Sequence, residues 1–255
     1  MDVAIRGDRA CSLTLQLGTQ SWLFAVARGF GTIDGIAAAP SALSRIRSEC
    51  ERRLKSERFR RSVSRPEAAA TAMLAILSRI NAEIFTRSAA HDDYVTAGCS
   101  FSAAVVVRGR AYVIHTGGTA VYLAHGAELK WLTAQDSFDD GPLPILARAL
   151  GTTGSLDVAL TSVGVEPGDL IILLAHRVPG ELDRRALIAH VEAAAPNEQV
   201  LVVRFDDGDR ALCGSPSERS NTHASVHRAS SVLVRAALCA AGVAFLLASL
   251  SGWAQ

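Results

Sequence analysis

A run of apolar segments joined by short turns constrains the fold more than any other feature of this sequence. The segments 100–107, 110–115 and 120–124 follow one another, and Arg108-Gly109 and His125-Gly126 mark turns after the first and the third. Strands joined by such short turns pair as antiparallel neighbours, because a parallel pair needs a long crossover connection. The middle of the chain therefore predicts an antiparallel sheet.

The other predicted elements come in blocks. Before the central strands, we predict strands at 13–17 and 22–27, a helix that begins near Pro40 and continues to Leu54, and a helix at 66–87. After them, we predict strands at 128–132, 157–163, 169–175 and 200–205, a loop at 133–150 and a helix at 181–194. Because helices and strands do not alternate regularly, the pattern favours an α+β fold.

Composition narrows the classes of protein that the chain can be. The 26 Lys and Arg residues against 25 Asp and Glu give a net charge of +1. A net charge this close to zero gives no overall positive potential that would attract nucleic acid. We therefore expect no nucleic-acid partner. The five cysteines form no CxxC pair, which favours reduced thiols in a cytosolic domain. All but two of the 26 cations are arginine, a bias typical of GC-rich bacterial genomes.

The C-terminal segment 232–250 is apolar apart from Arg235 near its start. As a helix it would be about 28 Å long, close to the roughly 30 Å hydrocarbon core of a bilayer. Basic residues precede the segment, and Trp253 follows it, as the positive-inside rule and the aromatic belt require. We therefore predict a single transmembrane helix at 232–250 with the N-terminal part of the chain in the cytoplasm. A buried or amphipathic last helix is the alternative.

Seven fragments resemble, in the same order, the metal-dependent PPM-type (type 2C) serine/threonine protein phosphatases. The fragment 23–31, LFAVARGFG, resembles the family's "LFAVADGMGG", and 110–123, RAYVIHTGGTAVYL, resembles "RLYVANVGDSRAYL". The other five are 97–101, 128–133, 148–151, 167–175 and 197–203. The resemblance covers 1–206 and implies a four-layer α-β-β-α sandwich of two antiparallel sheets flanked by helices. The segment 207–231 is then a linker to the transmembrane helix.

The family holds two Mg²⁺ or Mn²⁺ ions with carboxylates, and the ions activate the hydroxide that attacks the phosphoester. The resemblance places six of these acidic positions on Ala10, Cys11, Arg28, Gly118, His176 and Asn197. None of these side chains is a carboxylate, and an arginine at the bridging position repels a dication. We therefore predict no catalytic residues, no metal site and no cofactor. Mg²⁺ or Mn²⁺ would be needed only if the alternative holds, a divergent active phosphatase.

Two further hypotheses concern the cleft between the two sheets, where the resemblance places the metal ions. Asp8, Asp34 and Glu198 lie near the lost ligands in sequence, but capping and surface-turn roles are favoured over a rebuilt metal site. The basic residues could instead bind a phosphate or another anion without hydrolysing it. The candidates for that role are Arg6, which matches the family's phosphate-holding arginine, and Arg28, His115, His176 and Arg177.

The sequence therefore predicts a membrane-tethered pseudophosphatase. It would act as a binding or regulatory module in bacterial phosphosignalling, with a protein partner such as a phosphorylated protein or a kinase. A divergent active serine/threonine phosphatase remains the second hypothesis, and a purely structural partner of a membrane complex remains the third.

Overall fold

A computed structural model of the protein describes residues 1–31, 33–89, 98–133, 136–138, 145–176, 178, 182–195, 198–206, 209 and 224–228. The strands are β1 Asp2–Arg6, β2 Ser12–Gly18, β3 Ser21–Phe30, β4 Gly98–Val107, β5 Arg110–Thr116, β6 Ala120–His125, β7 Glu128–Trp131, β8 Ser137–Phe138, β9 Ile145–Leu146, β10 Asp157–Gly164, β11 Leu170–Leu174, β12 Val200–Arg204 and β13 Ala224–Arg228. The helices are α1 Ile33–Leu54, α2 Glu57–Val63, α3 Pro66–Ala89 and α4 Arg184–Ala193, and Arg9–Cys11 forms a 3₁₀ turn.

These strands form two larger antiparallel sheets and one small ribbon. The five-stranded sheet has the order β1-β12-β11-β6-β7, the six-stranded sheet has the order β13-β10-β5-β4-β3-β2, and β8 pairs with β9. Every strand pair is antiparallel. The predicted α+β fold with two antiparallel sheets and helices is therefore confirmed.

Alternation along the strands separates the core into layers. In β3, Phe24 and Val26 pack against residues of the five-stranded sheet such as Leu173, whereas Leu23 and Ala25 belong to the core beneath α1, α2 and α3. The opposite face of the five-stranded sheet packs against α4 through its buried residue Leu187. Because both faces of the central strands are covered, they have continuous apolar sequences. The order of layers is helices, sheet, sheet, helix.

The start of α1 differs from the prediction. The helix begins at Ile33 and includes Pro40, which was predicted to lie in its first turn. Proline removes one backbone hydrogen bond and usually disfavours a helix interior. Ala39 and Ala42 on either side of it are fully buried. Burial of this face therefore stabilises a helix that local propensity would begin later.

Four strands were not predicted, and two of them, β8 and β9, form a short ribbon inside the predicted loop 133–150. β1 is a five-residue strand at the N-terminus that pairs with β12. β13 lies within the predicted linker, 207–231, and pairs with β10 at the edge of the six-stranded sheet. Both are edge strands held largely by backbone hydrogen bonds, which leave little trace in the pattern of side chains.

The predicted transmembrane segment, 232–250, lies outside the described residues. Within the part of the chain that the structure describes, one helix, α3, is long and apolar enough to cross a bilayer. Its apolar face includes Met73, Ile76 and Leu77, which are fully buried against the rest of the helical layer and the six-stranded sheet. We therefore interpret α3 as a core helix.

Candidate functional site

Strand register brings distant parts of the chain to one end of the five-stranded sheet. Arg6 pairs with Val200, Val200 pairs with Leu174, and Leu174 pairs with Ala120, so these four residues form one row across the sheet. The segments that carry the candidate residues 10, 11, 118 and 176 leave the sheet just beyond this row. Sequence positions more than 100 residues apart therefore meet at one end of the sandwich, which we call the cleft end.

The six-stranded sheet contributes Arg28 to the cleft end. Arg28 pairs with Ser100 across β3 and β4, and Ser100 Oγ accepts a hydrogen bond of 3.0 Å from the backbone N–H of Gly118. Arg28 follows Phe24 and Val26 at alternate positions, so it lies on the face of β3 that is directed toward the other sheet. Its guanidinium is exposed and makes no hydrogen bond or ion pair among the described residues.

The first two candidate ligand positions lie in the 3₁₀ turn after β1. Asp8 caps this turn, and its Oδ1 accepts a hydrogen bond of 2.9 Å from the N–H of Ala10. Ala10 is exposed, and the adjacent Cys11 is half-buried. Burial, aided by the charge of Asp8, raises the pKa of the Cys11 thiol. Cys11 therefore carries a neutral thiol near pH 7. Asp8 was predicted to lie in a surface turn, and it caps the exposed 3₁₀ turn.

His176 follows β11 and lies on the side of the sheet that faces α4. Its Nε2 is 2.7 Å from Nε2 of His190, and the two ring centroids are 5.0 Å apart. Burial is the main cause that lowers the pKa of His176, with Glu198 opposing this effect and His190 and Arg28 adding to it. His176 is therefore neutral near pH 7 and brings a hydrogen-bonding ring, not a positive charge, to the cleft end.

The remaining candidates for anion binding have different environments. Arg6 is exposed, and its guanidinium donates a hydrogen bond of 2.7 Å to the carbonyl of Glu192 in the last turn of α4. His115 is 1% exposed and lies inside a polar network, so it is not accessible to an anion at the cleft end. This corrects the hypothesis for His115. Arg177 and Asn197 lie outside the described residues.

Among the residues that the structure describes, few carboxylates lie at the cleft end. Glu198 Oε2 accepts a hydrogen bond of 2.9 Å from the N–H of Ala195, and Asp8 is used as a cap. The side chain of Asp34 lies outside the described part of the chain. Among the described residues, no group of three or more His, Cys, Asp or Glu side chains could hold a metal ion. This donor set does not fit a pair of Mg²⁺ or Mn²⁺ ions, which require several oxygen ligands.

The sequence reasoning missed a buried polar network around Asp136. The Asp136 side chain is 4% exposed; it forms an ion pair with Arg148, and its Oδ2 accepts a hydrogen bond of 3.2 Å from the N–H of Gly117. His115 Nε2 lies 3.5 Å from the same carboxylate, and His115 Nδ1 is 2.9 Å from Ser102 Oγ. Asp136 lies in a long predicted loop outside every recognised fragment, so no local signal marked it.

This network fixes the turn between β5 and β6. Gly117 has φ of +91°, and a Cβ at this position would come within 2.5 Å of Ser100 Oγ. Only glycine fits such a backbone and such a close approach. Gly117 is therefore required by the shape of this turn. The next position, 118, holds a glycine and not the carboxylate that the resemblance implies.

Gln199 is a second residue that the sequence reasoning did not single out. It is 5% exposed, and neither Oε1 nor Nε2 has a hydrogen-bond partner among the described residues. Gln199, Leu201 and Val203 occupy every second position of the chain and so share one face of the sheet. Leu201 and Val203 pack between the sheets, so Gln199, like Arg28, is on a face directed toward the other sheet. Unpaired buried amide groups are costly, and they mark a place where a polar ligand can bind.

Comparison with known proteins shows the fold. No protein-family profile matches the chain, and no curated protein matches it. Among solved structures, the chain is similar to PppA, described as a key regulatory component of T6SS in Pseudomonas aeruginosa, with a TM-score of 0.58 and 19% identity. That match covers 80% of this chain and 96% of the other.

Two further solved structures are serine/threonine phosphatases. The match to Stp1 from Staphylococcus aureus has a TM-score of 0.61 and 11% identity, and it covers 80% of this chain and 94% of that one. The match to PstP/Ppp from Mycobacterium tuberculosis has a TM-score of 0.55 and 16% identity, with 80% and 98% covered. At these identities the likeness shows that the chain has the fold of the PPM-type phosphatases.

The Asp136 network yields a stability prediction. We expect Arg148→Met to lower the free energy of unfolding by about 3 kcal/mol, because it leaves the buried Asp136 carboxylate without its main counter-charge. Arg61→Met is the matched control, since Arg61 pairs with Glu57 on the surface of α2 and is 72% exposed. We expect that change to cost less than about 1 kcal/mol. Urea unfolding measures both values, and similar losses in the two variants would contradict the prediction.

Proposed function

We propose that this chain, which has the fold of the PPM-type serine/threonine phosphatases, is a catalytically inactive form of that fold. It acts as a binding or regulatory module in bacterial phosphosignalling and is tethered to the membrane. The observation that carries the proposal is Arg28, an exposed guanidinium with no ion-pair partner in the described part of the chain, on the inner face of β3 where the fragment resemblance expects a bridging carboxylate.

The positive charge of Arg28 argues against a reaction that uses two metal ions at the cleft end. A unit charge about 4 Å from another unit charge of the same sign costs roughly 4 kcal/mol at an effective dielectric constant near 20, and a dication doubles that cost. Solvent and the nearby Glu198 reduce this repulsion, but among the described residues no group of three or more His, Cys, Asp or Glu side chains could hold a metal ion. Without the metal ions, the fold has no means of generating a hydroxide nucleophile near pH 7.

The first prediction of the proposal concerns hydrolysis. We expect the purified full-length chain to show no Mn²⁺-dependent or Mg²⁺-dependent hydrolysis of p-nitrophenyl phosphate or of a phosphoserine peptide. The Arg6→Ala variant, purified in the same way, measures the background from contaminating enzymes. Metal-dependent turnover that Arg6→Ala abolishes would overturn the proposal and favour a divergent active phosphatase.

The cleft end has groups suited to binding a phosphorylated segment without reaction. Arg28 provides a guanidinium that has no ion-pair partner among the described residues. Arg6 follows Ile5, which packs between the sheets, so it is directed toward α4, where it donates to the carbonyl of Glu192. Gln199 adds amide atoms that have no partner among the described residues. Arginine and phosphate form strong charge-assisted hydrogen bonds, which makes a phosphoprotein or an autophosphorylated kinase a suitable partner.

The second prediction tests this binding. We expect a phosphoserine or phosphothreonine peptide to bind more tightly than its unphosphorylated form, and Arg28→Ala to weaken the phosphopeptide by about tenfold. Arg58→Ala on the basic helix α2 is the control, because it removes the same charge away from the cleft end. Fluorescence anisotropy measures the affinities. Equal binding of both peptide forms, or an unchanged affinity in Arg28→Ala, would refute the anion-binding role.

Membrane tethering is supported by the sequence of 232–250, which is long and apolar enough to span the bilayer. We expect the full-length chain to sediment with membranes and to resist extraction at alkaline pH, whereas a chain that ends after residue 231 is released. Such a truncation keeps β13, which pairs with β10 and ends at Arg228. A full-length chain found in the soluble fraction would contradict the anchor.

A further inference from the structure

Exposed basic residues cluster on and around α2, at one end of the helical layer. Phe59 and Val63 of α2 are buried, so the helix is held with its other side chains directed outward. The exposed cations of this segment are Lys55, Arg58, Arg60, Arg61 and Arg65, and we call them the basic face. Three of them, Arg58, Arg61 and Arg65, line one shallow cavity of about 510 Å³. The packing of α2 therefore gathers these charges into one patch.

The acids of the helical layer leave most of this charge uncompensated. The ion pairs described in α1, α2 and α3 use the carboxylates of Glu49, Glu51, Glu57 and Glu83. In the basic face, Arg61 pairs with Glu57, whereas Arg60 donates a hydrogen bond of 3.2 Å to the neutral carbonyl of Leu54. Among the described residues, no ion pair includes Lys55, Arg58, Arg60 or Arg65.

Charge also differs between this layer and the rest of the chain. The segment 33–89, which contains α1, α2 and α3, has 11 basic and 6 acidic residues, a net charge of +5. Because the whole chain has a net charge of +1, all the other residues together carry −4. A negatively charged surface attracts the positive side of such a protein and repels the remainder, so it orients the molecule.

We propose that the basic face binds the surface of a bilayer that contains anionic lipids, with the helical layer lying against the lipid headgroups. Arginine forms charge-assisted hydrogen bonds with phosphate oxygens. Each basic residue close to an anionic bilayer contributes about fivefold in affinity, and the contributions of several residues multiply. The four cations without an ion-pair partner are therefore enough for reversible binding that depends on the lipid charge.

The path of the chain fits this orientation. β13, the last described strand before the apolar segment 232–250, belongs to the six-stranded sheet, whose outer face is covered by α1, α2 and α3. β13 and β2 are the two edges of that sheet, about 24 Å apart at about 4.8 Å per strand, and α2 contacts β2. A membrane segment after β13 and the basic face beside β2 would attach the helical layer at two separate places. This orientation rests on the proposed tether, whereas lipid binding by the basic face does not.

Nucleic acid is less suited to the basic face than a bilayer is. Single strands bind through aromatic side chains that stack on the bases, and the aromatic residue of α2, Phe59, is buried. A duplex would also meet the negative charge of the rest of the chain, which opposes the approach of further phosphates.

Lysine acetylation tests the proposal on the full-length chain. The chain has only two lysines, Lys55 on the basic face and Lys130 on β7 of the five-stranded sheet, and both are exposed. The chain is combined with vesicles of phosphatidylcholine alone or with added phosphatidylglycerol, and a water-soluble reagent then acetylates the accessible lysines. Mass spectrometry measures the ratio of Lys55 to Lys130 acetylation. We expect phosphatidylglycerol to lower this ratio by at least about fivefold. About 1 M NaCl should restore it, because the Debye length falls to about 3 Å.

Two double variants remove the same charge from different sides of the domain. Arg58→Gln with Arg65→Gln should weaken the attraction by about 25-fold and return Lys55 acetylation to its level with phosphatidylcholine alone. Arg185→Gln with Arg204→Gln is the matched control, because these exposed arginines lie on α4 and on β12 of the five-stranded sheet. The control should leave Lys55 protected from acetylation.

Three results with vesicles would overturn the proposal: equal acetylation ratios with the two lipid compositions, continued protection of Lys55 in the Arg58 and Arg65 variant, or an equal loss of protection in the control. Protection of Lys55 by inorganic phosphate or by a DNA duplex without vesicles would also overturn it, in favour of a soluble anion or of nucleic acid. A full-length chain that stays soluble without vesicles, yet is protected by phosphatidylglycerol, would refute the tether and support the basic face.

Discussion

Apolar side chains packed between the two sheets hold the layers of this protein together. Phe24 and Val26 from one sheet and Leu173 and Val203 from the other are fully buried in the same core. Each such side chain contributes about 1.5–3 kcal/mol when it leaves water. Because side chains alternate along a strand, a shift of one residue would move this whole set to the wrong face. The core therefore fixes the register of both sheets.

That register determines what lies at the cleft end. With Val200 opposite both Arg6 and Leu174, the segments that follow or precede these residues leave the sheet together. In a phosphatase of this fold, the same convergence would bring carboxylates to two metal ions. Here it brings together an exposed arginine, a thiol, a glycine and a histidine.

The Asp136 network fixes the turn between β5 and β6 near the cleft end. The carboxylate of Asp136 accepts a hydrogen bond from the N–H of Gly117 and forms an ion pair with Nη2 of Arg148. Nη1 of Arg148 forms a second ion pair, with Asp157 on β10. A buried carboxylate needs such compensation, because its desolvation is otherwise too costly. Asp136 and Arg148, which follow β7, are thus held to the six-stranded sheet through Asp157 on β10.

Much of this fold could be predicted from the sequence. The central strands have apolar patterns and glycine turns, so their existence and antiparallel pairing were predicted correctly. The edge strands β1 and β13 were missed because backbone hydrogen bonds hold them and their side chains show little pattern. The start of α1 was wrong because the burial of Ala39 and Ala42 outweighs the local cost of Pro40.

The fold class, and the residue types at the positions that the phosphatase resemblance marks, could be predicted from local patterns and matching fragments. The directions in which those side chains point were set by the tertiary structure. It placed His115 inside a buried network and turned His176 toward His190 on α4, a contact between residues of two layers that no spacing in the chain could reveal. The physical reason is that sheet register and layer packing act between segments that are distant in sequence, and they decide which side chains share a surface.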